Sequence, residues 1–528
     1  MKTLDGQGIE PQAIWRPRAV SPLRAAVAGL LGAAVALAVT DLVSALSRGP
    51  SLIDTVGNEL IDRFAGSLKD LAVSLFGTND KRALVIGIVT VSLLVGVVLG
   101  LASVTRPRVG IIGFVGFAVL GMVTAVSDPL ADQWVLVVAG LLGAIAGVVT
   151  LFALLRASAP AEPSNRGTRH EDPTVRAGSR RSFLGWSAGA AAVTVVGVGG
   201  ARALRNRFEP VTQGVVLPAA RTAVALPTSQ PFSVPGLSDY VTPNSDFYRI
   251  DTALFVPRVD ASRWSLRVGG LVDHPFEVSY DELLAMPMVD EPVTIACVSN
   301  EVGGDLIGNA VWRGVHLSEL LSRAGVHDDA TQIVGRSVDA FTVGFPTEKA
   351  FDGRTALVAV GMNGAPLPAR HGFPARLIVA GLYGYVSATK WLSEIVLTRL
   401  EDFDAYWVPR GWAKEAPIKT ESRIDVPRDG AVLQAGRVAV AGVAWAPTRG
   451  ISKVEVQVDG GPWQAARLGD VASDNTWVQW LFEWDGTAGD HELSVRATDG
   501  TGEVQTSERQ APAPDGATGH HTRRVRVS

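Results

Sequence analysis

The residue type best suited to soft-metal or nucleophilic chemistry occurs once in this chain, as Cys297 in the run P-V-T-I-A-C-V-S-N-E. A thiolate binds soft metals or attacks electrophiles. The apolar residues from Pro292 read as a strand that breaks into a polar, glycine-containing loop at Ser299–Gly304. The sulfur would then stand at the mouth of a strand. The bland alternative is a small buried hydrophobe, a role cysteine often fills. A single thiolate cannot form an intrachain disulfide, a cysteine-based zinc site, an iron–sulfur cluster or the covalent haem signature. It can be the one protein ligand of a metal already held by an organic cofactor. A nucleophilic role would need a histidine partner. Of the eight histidines, His316 and His371 are the plausible ones, and spacing ties neither to Cys297.

The elements around Cys297 are short. WSLRVGGLV, PVTIACVSN, LVAVGMNGAPLP and ARLIVAG read as strands, while SYDELLAMP and the Leu317–Ala324 run, stopped by Gly325, read as helices. This mixture predicts an α+β domain. His316 opens the second helix and reads as structural. From about residue 420 the pattern changes to VAVAGVAW, KVEVQVDG, TWVQWLFEW and HELSVRATD, punctuated by Asp-Gly turns. That spacing predicts an immunoglobulin-like β-sandwich. Its tryptophans Trp445, Trp463, Trp477, Trp480 and Trp484 read as core or interface aromatics.

Five motifs occur in order along this body: T-P-N-S-D-F-Y-R at Thr242–Arg249, T-I-A-C-V-S-N at Thr294–Asn300 and I-G-N-A-V-W-R-G-V at Ile307–Val315. They continue with M-N-G-A-P-L-P-A-R-H-G-F-P-A-R at Met362–Arg376 and G-L-Y-G-Y-V-S-A-T-K-W at Gly381–Trp391. Together they resemble the sulfite oxidase family of molybdenum enzymes, bacterial periplasmic methionine-sulfoxide reductases included. The resemblance implies a molybdenum-molybdopterin cofactor with Cys297 as its metal ligand. It implies cofactor contacts at Asn244, Phe247, Tyr248, Ser337, His371, Arg376, Ala388, Thr389 and Lys390. It further implies that the sandwich is the family's C-terminal domain, used to form a homodimer. A phosphate favours Arg, Lys and backbone N–H donors, so the residue types agree with the implied role.

The chain also departs from the family. Where sulfite oxidases carry an arginine pair after the cysteine, Asn300 is followed by Glu301 and Val302. Trp412 falls where their active-site tyrosine would be. Arg249, Arg313 and Arg410 remain as candidate anion-binding groups. No cytochrome b5-like domain is recognisable, so a separate electron-transfer partner is expected.

The N-terminal part differs in kind. Four apolar stretches, Ala25–Leu46, Ala83–Val104, Val109–Ser127 and Trp134–Leu155, are each about 20 residues, the length that crosses a bilayer as helix. Asp41, in the first, lies near the interface and reads as unremarkable. Residues 52–76 carry apolar side chains at helical spacing and predict an amphipathic helix. Residues 159–182 read as a disordered cytoplasmic linker. S-R-R-S-F-L-G at Ser179–Gly185 then resembles a twin-arginine export signal and opens a fifth apolar helix at 183–203. With the N-terminus inside, Lys2, Arg16, Arg18, Arg24, Arg106, Arg108, Arg156, Arg166, Arg169, Arg176, Arg180 and Arg181 lie on the cytoplasmic side. Only Arg48, Arg63, Lys69, Lys81 and Arg82 lie outside. That bias obeys the positive-inside rule and puts the C-terminal part beyond the membrane. No histidine precedes His170, so the bundle lacks the usual ligands of a b-type haem. A net charge of −4 gives no basic surface for nucleic acid.

The expected architecture is therefore multi-domain: a transmembrane α-helical bundle (1–158), linker (159–182), fifth helix (183–203), α+β sulfite-oxidase-like molybdopterin domain (204–418) and immunoglobulin-like sandwich (419–528). The expected function is two-electron oxygen-atom transfer on a small sulfite-like or sulfoxide-like substrate, outside the cytoplasm and anchored to the lipid bilayer. Two rivals compete: a non-catalytic anchored binding or assembly module on the same fold, and an exported cysteine hydrolase.

Overall fold

The structure, a computed structural model, describes residues 20–47, 49–64, 80–158, 173–207, 214–227 and 232–528. The chain forms two compact units that divide after Glu209.

The first unit is helical. Its described helices are α1 (Pro22–Leu46), α2 (Leu52–Phe64), α3 (Asp80–Ser103), α4 (Pro107–Val126), α5 (Gln133–Ser158) and α6 (Pro173–Arg207). All except α2 are long and apolar enough to cross a membrane by length and composition. α1 packs on α3, α5 and α6. Small residues permit that approach: a Cβ on Gly29 would stand 2.0 Å from the Gly96 carbonyl of α3. Asp41, read from sequence as unremarkable, is ion-paired with Arg205 of α6. The amphipathic segment is helical to Phe64, and its remainder lies outside the described residues. Of the expected linker, residues 159–172 also lie outside them, but 173–182 are the first turns of α6. Composition misleads there: Pro173 fits a first helical position, and although Arg176 and Ala177 favour helix, Thr174, Val175, Gly178 and Ser179 do not, so local propensity alone does not account for the early start.

The second unit carries four sheets. In the first, β1 (Thr222–Ala223), β4 (Val289–Ala296), β5 (Ile307–His316), β8 (Ala356–Met362) and β10 (Arg376–Val379) lie in that order, with β9 (Ala365–Pro366) on β8. In the second, β3 (Phe276–Ser279), β2 (Ser265–Gly270), β11 (Leu392–Thr398), β6 (Gln332–Ser337) and β7 (Thr342–Pro346) follow one another. Short helices α7 (Tyr280–Ala285), α8 (Leu317–Ala324) and α9 (Gly384–Ser387) connect them. Ser279 and Glu282 form a capping box that starts α7, and Gly325 in the left-handed region ends α8.

The sandwich places β12 (Glu421–Val426), β14 (Gly436–Trp445), β18 (Val478–Gly486) and β17 (Arg467–Leu468) in one layer. The other layer is β13 (Val432–Leu433), β20 (His521–Val527), β19 (Gly489–Asp499), β15 (Ile451–Val458) and β16 (Gln464–Ala465). Trp480 fills the sandwich's own core, whereas Trp445 and Trp477 join the core of the α+β part. The two parts of this unit thus share apolar packing.

Candidate active site

Cys297 is the first residue after β4 and is buried. Its N–H donates to the Leu306 carbonyl at 2.9 Å, its carbonyl accepts from the Asn300 N–H at 3.0 Å, and Asn300 Oδ1 accepts from the Leu306 N–H at 2.8 Å. These bonds close a tight loop whose base is the cysteine itself. The strand-mouth reading of Cys297 therefore describes its position.

Asn309 of β5 explains why the I-G-N-A-V-W-R motif is needed near it. Fully buried, Asn309 donates to the Tyr240 carbonyl at 2.8 Å and accepts from Thr294 Oγ1 at 3.2 Å, and its backbone pairs with Thr242. It thus docks the Thr242–Arg249 segment on the sheet. Phe247 follows, buried, stacked on Tyr248 at 5.2 Å and edge-on to both Trp312 and His371 at 5.8 Å. Gly308 lets it in: a Cβ there would lie 2.7 Å from the Phe247 ring.

Asn244 is held by the β8–β9 hairpin. Asn363 and Gly364 take the left-handed conformations of a tight Asn-Gly turn. Asn363 Nδ2 donates to Asn244 Oδ1 at 2.8 Å, and Asn244 Nδ2 donates to the Met362 carbonyl at 3.2 Å. His371 Nε2 donates to the Asn244 carbonyl at 3.1 Å. Burial, with Arg376 and Lys390 nearby, holds His371 down to about 3, so the imidazole is neutral.

Arg376 begins β10 and is 3% exposed. Its guanidinium lies over Trp312 at 5.0 Å, and Nη1 donates to the His371 carbonyl at 3.0 Å. Nε is buried and has no hydrogen-bond partner. Burial lowers its pKa to about 10. Lys390 donates to the Ile250 carbonyl at 2.9 Å and to Asp251 at 3.2 Å. Burial lowers it to about 8 despite Asp251, with Arg376 and Arg249 adding repulsion. The H-G-F-P-A-R and A-T-K-W motifs meet at Gly372, whose φ is 111° and whose Cβ would stand 3.0 Å from the Lys390 Cα. Thr389 is fully buried beside β10, accepts the Leu377 N–H through its carbonyl at 2.9 Å, and leaves Oγ1 without a partner. Ala388 closes α9 by donating to the Gly384 carbonyl. Ser337 is buried at the end of β6, next to Val338, whose N–H donates to the Trp391 carbonyl at 3.0 Å.

Tyr248 ties the two halves together. Burial raises its pKa far above the ordinary tyrosine range, the Cys297 charge raises it further, and Arg376 opposes. The phenol stays protonated.

These residues fit a phosphorylated, metal-bearing pterin. Among the described residues the cluster holds the cations Arg376, Lys390 and Arg249 against Asp251, with the carboxyl of Asp339 close to Asp251 and held above its usual range by burial, and a buried Arg N–H and Thr hydroxyl await partners. Leaving charge and donors so desolvated costs several kcal/mol, which an anion's charge-assisted bonds would offset. Among the described residues no cluster of three or more His, Cys, Asp or Glu could hold a metal by itself.

Other expectations fare differently. Arg313 is engaged across the β4–β5 pair by Asp290 and donates to the Pro218 carbonyl, so it belongs to the scaffold. Arg249 pairs with Asp251 at 2.8 Å, and Arg410 lies over the Tyr406 ring at 3.8 Å. His316 stands 3.5 Å from Glu291. Trp412 packs on Tyr385 and Trp407. Asp251, Trp312 and Asn363 were not singled out from sequence as site partners. Only Asn363 had a local signal, the Asn-Gly turn.

The family described as "Oxidoreductase molybdopterin binding domain" matches residues 253–407, and "Bacterial Ig domain" matches 421–495. The mitochondrial sulfite oxidase of Macaca fascicularis is 28% identical over 330 residues, covering 53% of this chain and 60% of that protein. The mouse (Mus musculus) enzyme is 29% identical over 299 residues, covering 48% of this chain and 54% of that protein. The chain therefore spans little more than half the length of these relatives. The uncharacterized oxidoreductase YuiH of Bacillus subtilis is 35% identical over 153 residues, covering 29% of this chain and 74% of that protein. Among solved structures, the sulfane dehydrogenase SoxCD of Paracoccus pantotrophus aligns with a TM-score of 0.48 at 24% identity, covering 57% of this chain and 87% of that one.

Proposed function

Because this chain belongs to the sulfite oxidase family of molybdopterin-dependent oxidoreductases, we propose that it is a membrane-anchored enzyme that transfers an oxygen atom to or from a small sulfite-like or sulfoxide-like substrate outside the cytoplasm. When bound, molybdenum-molybdopterin supplies the two-electron redox change that accompanies oxygen-atom transfer. The chain supplies the rest. Cys297 offers a thiolate at a fixed point, the end of β4. Arg376 and Lys390 offer cationic donors to a phosphate, backed by the neutral His371. Asn244 accepts from His371 and Phe247 packs edge-on to it, so both hold the imidazole in place. Tyr248 keeps its proton. Burial of Cys297, Phe247, His371 and Arg376 keeps bulk water from them, which strengthens the charge interactions there.

The observation that carries this reading is the unpartnered buried Nε of Arg376 within a cluster of excess positive charge. Neither rival gives that cluster a purpose. His371 is committed to the Asn244 carbonyl and His316 faces Glu291, contacts that favour the redox reading over a cysteine hydrolase. A separate protein would exchange the electrons. The five long apolar helices support membrane anchoring, and the lysine and arginine bias supports the external placement. Turnover of the purified chain on a panel of sulfite, sulfoxides and N-oxides, with artificial electron donors and acceptors, tests the proposal. Activity on one class is expected, and inertness of a molybdenum-loaded preparation toward every member would overturn it.

A further inference from the structure

The loop that follows Cys297 and the strand that precedes it are both gripped by the sandwich. Upstream, among the described residues β1 pairs with β4 only at Val289 and Asp290, which leaves the outer edge of β4 open toward Cys297. A sandwich loop fills it: the Thr294 N–H donates to the Asn475 carbonyl at 2.9 Å, and the Trp477 N–H donates to Thr294 Oγ1 at 2.8 Å. Downstream, Arg423 of β12 donates through Nη1 to the Gly304 carbonyl at 2.7 Å. The same guanidinium is aimed by Asp425 at 2.7 Å and by Ser238 at 3.0 Å. His521 of β20 is fixed by accepting the Ile424 N–H at 2.9 Å, and its ring lies against Gly303. Gly303 has φ 78°, and a Cβ there would be 2.2 Å from the imidazole. Both side chains are buried.

We propose that the sandwich is part of the apparatus that sets the sulfur's position, with Arg423 and His521 as positioning residues for the cysteine loop. A loop closed only by its own hydrogen bonds would still pivot about the Cys297–Leu306 base. Contacts on Thr294 before the cysteine and on Gly303 and Gly304 after it remove that freedom from both sides. A sandwich that served only to pair two copies of the chain would need none of these contacts. The metal-ligand role of Cys297 is taken from the proposed function; the grip on the loop is independent of it.

The test uses the full chain in four variants: Arg423→Gln, Arg423→Lys, Gly303→Ala and the double variant Gly303→Ala/His521→Ala. Hydrogen exchange is read on cofactor-free protein at residues 298–306 and, as an internal control, on the β15–β19 pair. Arg423→Gln should speed exchange of the loop at least ~tenfold while the control pair holds. Arg423→Lys should restore part of the protection, and the double variant should protect the loop better than Gly303→Ala alone. In metal-loaded protein, Arg423→Gln should alter the paramagnetic resonance line shape of the one-electron-reduced molybdenum, a signature that mere loss of stability leaves alone. Unchanged loop exchange in Arg423→Gln, or faster exchange spread equally over the control pair, would overturn the inference. A wild-type chain that never takes up molybdenum would instead overturn the proposed function, and the exchange result would still decide the grip.

Discussion

Arg376 has Nη1 on the His371 carbonyl, its flat face on Trp312 and Nε on nothing. Hydrogen bonds to charged groups are worth about 1.5–3 kcal/mol each, so Arg376→Met should weaken cofactor retention by roughly ten- to a hundredfold. Molybdenum remaining after dialysis measures it, and full retention would assign the guanidinium to the fold alone. His371 gives a pH signature. Its folded pKa is about 3 against about 6.5 when unfolded. Above pH 6.5 both states are neutral. As the pH falls below 6.5 the unfolded chain takes up the proton first, so stability is lost on acidification at about 1.4 kcal/mol per pH unit. Between pH 6.5 and 5 that is about 2 kcal/mol in the cofactor-free protein. Denaturant midpoints should show a shallower pH slope for His371→Asn, and equal slopes would contradict the neutral buried imidazole.

Elements bring these side chains together, and here the sequence was readable in unequal measure. The strand ending at Cys297, the Leu317–Ala324 helix and the sandwich strands follow from apolar spacing and turn residues that are local. The order of strands in the sheet does not, because it depends on pairings between distant residues. Arg313 shows the consequence: as sequence it is a candidate anion ligand, but the β4–β5 register sets it opposite Asp290. Trp312 and Asp251 are silent in sequence for the same reason, since nothing adjacent to them marks Arg376 or Lys390 as a neighbour. The motif around His371 is legible only through resemblance, and the structure adds its mechanics. Gly372 sits where a left-handed turn presses on Lys390. Gly372→Ala should therefore cost at least about 1–2 kcal/mol from backbone conformation alone, with crowding in addition. A denaturation midpoint equal to wild type would show that the two motifs can part without penalty.

At the scale of the molecule, composition alone separates two units, because a run of about 20 apolar residues has few uses besides spanning a bilayer. What composition misjudged is where the fifth helix begins, since it starts at Pro173, ahead of the apolar run. If α1, α3, α4, α5 and α6 are spans, the chain should stay in the membrane pellet after alkaline carbonate extraction. Protease added to intact spheroplasts should then digest the C-terminal unit. Protection until the membrane is opened would place that unit on the cytoplasmic side and contradict the charge bias.

Metal analysis of the purified full chain beside Cys297→Ser, both made in cells that synthesise the cofactor, decides whether Cys297 holds the metal. Loss of partners outside the metal shell costs 10–100-fold in affinity or activity, so loss of the ligand itself should cost at least ~100-fold in activity. Stoichiometric molybdenum and pterin in the wild type, with metal and turnover lost in the variant, is the predicted result. A wild-type chain without molybdenum, or a serine variant that keeps metal and full turnover, would contradict it.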